Sequence, residues 1–151
     1  MKKLNKKGFT LVELLAVIVI LALLMVVATR TIGNSLTSAK LNAMQTEARK
    51  LFSKTYEEVK SNVMLGNLDQ TTTTYSYGTL NAAGNKLTGT DGDYSFTISI
   101  DTTGDGSITA LCITNGKNSY STSVASGAGS IVINGTNLTF GSDWGTLTTC
   151  P

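Results

Sequence analysis

Residues 9–28, FTLVELLAVIVILALLMVVA, carry a single charge. A run of this length and apolarity is enough to cross the hydrocarbon core of a bilayer as one helix. No fold that leaves it in water is stable, so it must lie in lipid or against other apolar surface. Lys2, Lys3, Lys6 and Lys7 precede it, which predicts a cytoplasmic N-terminus. A secretory signal would have a shorter apolar core with a small-residue cleavage site after it. Here the run passes directly into Thr29, Arg30 and further helical sequence.

The single charge is Glu13. A carboxylate is costly in hydrocarbon and is a functional candidate that needs a named partner. A cut between Gly8 and Phe9 would create one, because the new α-amine of Phe9 lies four residues from Glu13. Between two copies, the Glu13 carboxylate of one could neutralise the Phe9 amine of the next. Such a pair marks register inside an apolar bundle, where an unpaired charge is heavily penalised. The plainer reading is an acid tolerated at the membrane interface in a simple anchor.

The ten residues around this site read KKGFTLVELL, from Lys6 to Leu15. They resemble the prepilin signature of type IV pilins and of the pseudopilins of type II secretion systems. The resemblance covers about the first 30 residues. It implies cleavage after Gly8 by a prepilin peptidase, methylation of the Phe9 amine by the same enzyme, and an assembly role for Glu13. Many members of that family carry a helix-breaking proline near the end of the apolar run. This chain reads VVATRTIG there, and its one proline is Pro151. Gly33 with Thr29, Thr31 and Ile32 weakens the helix more gently.

Beyond the run, Ile32, Leu36, Ala39, Ala43, Met44, Ala48, Leu51, Phe52, Tyr56, Val59 and Val63 recur at helical spacing, a stripe that predicts a core-facing side. Gly66 offers a stop. One helix from residue 9 to about 65 would span roughly 85 Å. Lys54 and Glu58 are spaced for an i,i+4 pair.

Charge divides along the chain. The net charge of +2 includes the four leader lysines, so their removal leaves −2. Residues 30–66 hold Arg30, Lys40, Arg49, Lys50, Lys54 and Lys60 against Glu47, Glu57 and Glu58. Residues 67–151 hold Lys86 and Lys117 against Asp69, Asp91, Asp93, Asp101, Asp105 and Asp143. A basic shaft and an acidic head favour head-to-shaft contacts between neighbouring copies, unless both faces are simply solvated. The basic residues form no dense cluster interleaved with aromatics, so no specific nucleic acid is expected.

From residue 67 the pattern changes to short strands separated by turn residues, with candidates at 72–77, 94–100, 107–114, 119–124, 130–134 and 138–140. Tyr94, Phe96, Phe140 and Trp144 are expected to fill the helix–sheet interface. Cys112 and Cys150 are the two cysteines, and in an exported domain they are most simply a disulfide. Free thiols would suit a reducing compartment, against which the export signal argues. DTTGDG at 101–106 resembles the start of a calcium loop, with Asp101 and Asp105 as ligand candidates, but the twelfth position is Cys112 rather than a bidentate Glu. Asp and Gly also favour a plain hairpin turn, the preferred reading. Asn134 and Asn137 open glycosylation sequons and are read first as turn residues. With no histidine, and no nucleophile, base and metal set at recognisable spacing, an enzyme is not expected.

These readings predict an α+β chain. Residues 1–8 are a leader, 9–66 a long N-terminal helix with 9–28 transmembrane or at a fibre core, and 67–151 a β-rich head with a small antiparallel sheet packed on the helix. The resemblance implies a type IV pilus subunit: stored in the bacterial cytoplasmic membrane, processed by prepilin peptidase, then polymerised by assembly machinery into an extracellular homo-oligomeric filament. It requires no cofactor. A pseudopilin of a secretion or competence system is the alternative, and calcium in the head would favour it. A monomeric membrane-anchored surface module with a ligand-binding β domain is the reading from a different class.

Overall fold

The computed structural model describes residues 10–66, 75–102 and 105–151. It is an α+β chain of two compact units, residues 1–40 and 41–151, each treated by itself below. Helix α1 runs without interruption from Leu11 to Met64.

Within the first unit the helix is a bare apolar rod. Leu11, Val12, Leu14, Val17, Ile18 and Leu21 are all more than half exposed. The stretch Leu11–Thr29 is long and apolar enough to cross a membrane. The hydroxyl of Thr29 donates back to the carbonyls of Met25 and Val26, and that of Thr37 to Gly33. The helix therefore satisfies its own hydroxyls where threonine and glycine weaken its propensity. Ile32 and Leu36 are 57% and 55% exposed, so the burial stripe starts later than periodicity suggests.

In the second unit the helix buries Met44, Ala48, Leu51, Phe52, Thr55 and Val59, with Leu41, Tyr56 and Val63 partly covered. Buried Thr55 lies on this side although an apolar pattern omits it. Against it lies a five-stranded antiparallel meander: β1 (Thr79–Leu80), β2 (Lys86–Asp91), β3 (Tyr94–Ile100), β4 (Ile108–Thr114) and β5 (Ser119–Ser121), in that spatial order. A separate hairpin joins β6 (Ile131–Asn134) to β7 (Asn137–Phe140). Alternation puts Leu87, Phe96, Ile98, Leu111, Ile113 and Tyr120 into one core cluster with the helix. Phe96 is buried, while Tyr94, Phe140 and Trp144 pack half-buried against the cluster. The opposite face carries Thr88, Thr90, Ser95, Thr97, Cys112 and Thr114.

The β6–β7 hairpin is fixed to the helix through Arg49. Its guanidinium lies 4.8 Å from the Phe140 ring centroid and donates to the Leu138 carbonyl at 2.7 Å. Phe140 meets Tyr120 edge-on at 5.1 Å, and Gln45 donates to the Tyr120 hydroxyl at 3.0 Å.

Two sequence expectations are corrected. The strand at 72–77 is not observed as such: 72–74 lie outside the described residues, Tyr75 bridges Gly78, and the paired strand is Thr79–Leu80. Strand β2 was not anticipated, because Gly89, Lys86 and Asp91 lower its apparent strand character. Gly89 is there for a packing reason. A Cβ at that position would sit 2.2 Å from the Tyr77 carbonyl oxygen and 2.8 Å from the Phe96 ring, so the backbone at 77–78 could not close over the sheet.

Candidate assembly site at the start of the helix

The first turn of α1 is closed by Thr10 and Glu13. The Thr10 N–H and hydroxyl both donate to Glu13 Oε2, at 2.8 and 2.9 Å. The Glu13 N–H donates back to Thr10 Oγ1 at 3.3 Å. This is the reciprocal capping box that the spacing T-x-x-E allows, and it satisfies amides that a helix start leaves unpaired. The positive end of the helix dipole also favours a carboxylate there. Glu13 thus has a local reason to be present before any second chain is considered. Both donors converge on Oε2; among the described residues no hydrogen bond reaches Oε1. Gly8 and Phe9, the cleavage and methylation positions expected from the sequence, lie outside the described residues. Sequence reading gave Glu13 an intermolecular role and did not assign Thr10 its capping role, although the T-x-x-E spacing carried the signal.

Elsewhere, Cys112 Sγ and Cys150 Sγ are bonded, with Cα atoms 5.6 Å apart. Cys112 sits in β4 and Cys150 next to the C-terminal Pro151, so the bond fixes the chain end to the middle of the sheet. Of the calcium candidates, Asp105 meets Lys60, whose ammonium donates to its carbonyl at 2.8 Å and its carboxylate at 3.2 Å. Asp101 donates its amide to the Ser107 carbonyl, closing the β3–β4 connection. Thr103 lies outside the described residues. Among the described residues no three His, Cys, Asp or Glu side chains converge as a metal set.

Charged residues of the helix and the head meet within the chain. Lys50 meets Asp91 at 2.6 Å and Glu47 at 3.0 Å, and Lys60 meets Asp105. Basic helix residues and acidic head residues therefore pair within one chain. Lys54 pairs with Glu57 at 3.7 Å rather than with Glu58, because Glu58 accepts from the amide and hydroxyl of Ser76. The hydrogen bond from Lys50 holds the Asp91 carboxyl below its ordinary value. Asp91 first, and then Glu47, push Lys50 up.

Residues 3–29 match the model of the prokaryotic N-terminal methylation motif, the prepilin-type signature of type IV pilins and pseudopilins. No curated protein and no solved structure gives a significant match to the chain.

Proposed function

We propose that this chain, whose N-terminus carries the prokaryotic methylation motif, is the precursor of a type IV pilus subunit. The observation that carries the reading is the coincidence of that motif, over residues 3–29, with an apolar helix from Leu11 that opens on Glu13, whose Oε1 takes no hydrogen bond among the described residues. In this reading a prepilin peptidase cuts after Gly8 and methylates the Phe9 amine. The precursor waits in the cytoplasmic membrane. Assembly machinery then moves the helix from lipid into a bundle of identical helices, so that apolar surface stays covered throughout. The Phe9 amine of one copy meets Glu13 of its neighbour, and the role is structural rather than catalytic. A pseudopilin filament would use the same chemistry at this end.

The test is Glu13→Ala in cells that hold the native machinery. The variant should insert and be processed, since neither step needs the carboxylate to pair, yet yield no filaments. Filaments at wild-type abundance would exclude an assembly role for Glu13.

A further inference from the structure

The outer face of the sheet carries a groove of about 410 Å³. Its floor is β2, β3 and β4, and its wall is the C-terminal strap at 148–150. Six hydroxyl-bearing side chains with no other use line it, those of Thr88, Thr90, Ser95, Thr97, Thr148 and Thr149. None of the six bonds to another described residue. Beside the groove other hydroxyls are engaged: Thr114 donates to the Leu147 carbonyl at 2.8 Å, Ser119 Oγ accepts from the Leu147 amide at 3.0 Å, and Ser121 meets Ser123 at 2.8 Å.

We propose that this groove binds an uncharged oligosaccharide. The class follows from what lines the site. Among the described residues no ionisable side chain lines it, so a charged ligand would lose its hydration without gaining a counter-charge. A purely apolar ligand would cover six hydroxyls and leave them unpaired, which is unfavourable. A neutral polyhydroxylated ligand avoids both costs, because a threonine or serine hydroxyl can donate and accept at once. The volume lies within the range of small-ligand sites.

The site is also held in shape. Thr88 pairs with Thr97, and Thr90 with Ser95, across the β2–β3 ladder, so the floor hydroxyls keep fixed spacings. The strap is tied at both ends, by Leu147 to Thr114 and Ser119 and by Cys150 to Cys112. A wall held in place before the ligand arrives reduces the ordering cost of binding. The proposal does not depend on the assembly role of the helix.

The experiment uses the full, oxidised chain in a detergent without a sugar headgroup. Threonine methyl signals are followed by NMR while maltotriose, cellotriose or triacetylchitotriose is added to millimolar concentration, with oligogalacturonate as the charged control. The expected result is saturable movement of the Thr88, Thr90, Thr97 and Thr148 methyls with at least one neutral sugar. Thr88→Val and Thr97→Val keep shape and strand preference, and each should weaken binding by about three- to ten-fold, the worth of one hydrogen bond. Three results overturn the proposal: no methyl movement with any neutral sugar, equal binding of the charged control, or unchanged affinity in both valine variants. Movement of the same methyls on concentrating the protein alone, without response to sugar, would assign the groove to a second copy and would also overturn it.

Discussion

Lys50 on the helix and Asp91 at the end of β2 meet at 2.6 Å, with Glu47 3.0 Å from the same ammonium. The pair joins the helix to the β2–β3 hairpin, whose two-residue connection is Gly92 and Asp93. The lowered Asp91 pKa sets the direction of its pH dependence. Its contribution is present above the unfolded value, ordinarily 3.8, and is lost as pH falls through the lower folded value. Lys50, raised from 10.5, contributes below that pH and loses its contribution only in more alkaline solution. Asp91→Asn should therefore lower stability slightly between pH 5 and pH 9, as expected of an exposed ion pair, and flatten the acid limb by the same small amount. Urea unfolding across pH, read by the single tryptophan, Trp144, checks this. An acid limb identical to the wild type would refute the assignment.

The Cys112–Cys150 bond closes a loop with a sequence separation of 38. On the chain-entropy model its loss costs about 4 kcal/mol. Reduction, or Cys150→Ser, should move the Trp144 unfolding midpoint to markedly lower denaturant. Coincident curves for the oxidised and reduced protein would contradict it.

Leu51 is fully buried where the helix meets the sheet. Leu51→Ala should destabilise the second unit by about 2–5 kcal/mol, transfer and cavity terms together. Leu21→Ala, on the exposed rod, should leave the same transition in place. Trp144-detected unfolding of both variants makes the comparison.

Gly89 admits no side chain without movement of the backbone at Tyr77 or the ring of Phe96. Gly89→Ala is expected to cost about 1–3 kcal/mol and to raise amide exchange at Tyr77 and Gly78. Full stability with unchanged exchange would show that this close approach is absent in solution.

What could be read in the sequence follows from the range of the interactions involved. The apolar run, the helix stop at Gly66 and the alternation of YSFTISI are local patterns, and the structure has α1 ending at Met64 and β3 at Tyr94–Ile100. Gly66 adopts φ +71, as a helix-ending glycine should. Turns at Asn115–Asn118 and Asn134–Asn137 likewise place Gly116 and Gly135 at positive φ, the first central position of a tight hairpin. Strand β2 was hidden because its glycine answers to Tyr77, twelve residues away, and the TDGD turn after it was read for its carboxylates. The pairs Lys50–Asp91 and Lys60–Asp105 span 41 and 45 residues, a distance at which charge pattern gives the sign of an attraction but not its partner. At the candidate site Glu13 stood out as a lone charge. Its bond to Thr10 is equally local and is carried by the T-x-x-E spacing.

The central claim is that the helix start is made by processing, so the most direct measurement is intact mass with N-terminal sequencing of protein purified from cells with their native machinery. The account predicts a chain that begins at Phe9 and is heavier by one methyl group on its amine. A chain that still begins at Met1, in cells whose peptidase is active on other substrates, would contradict it and leave KKGFTLVELL as a membrane anchor.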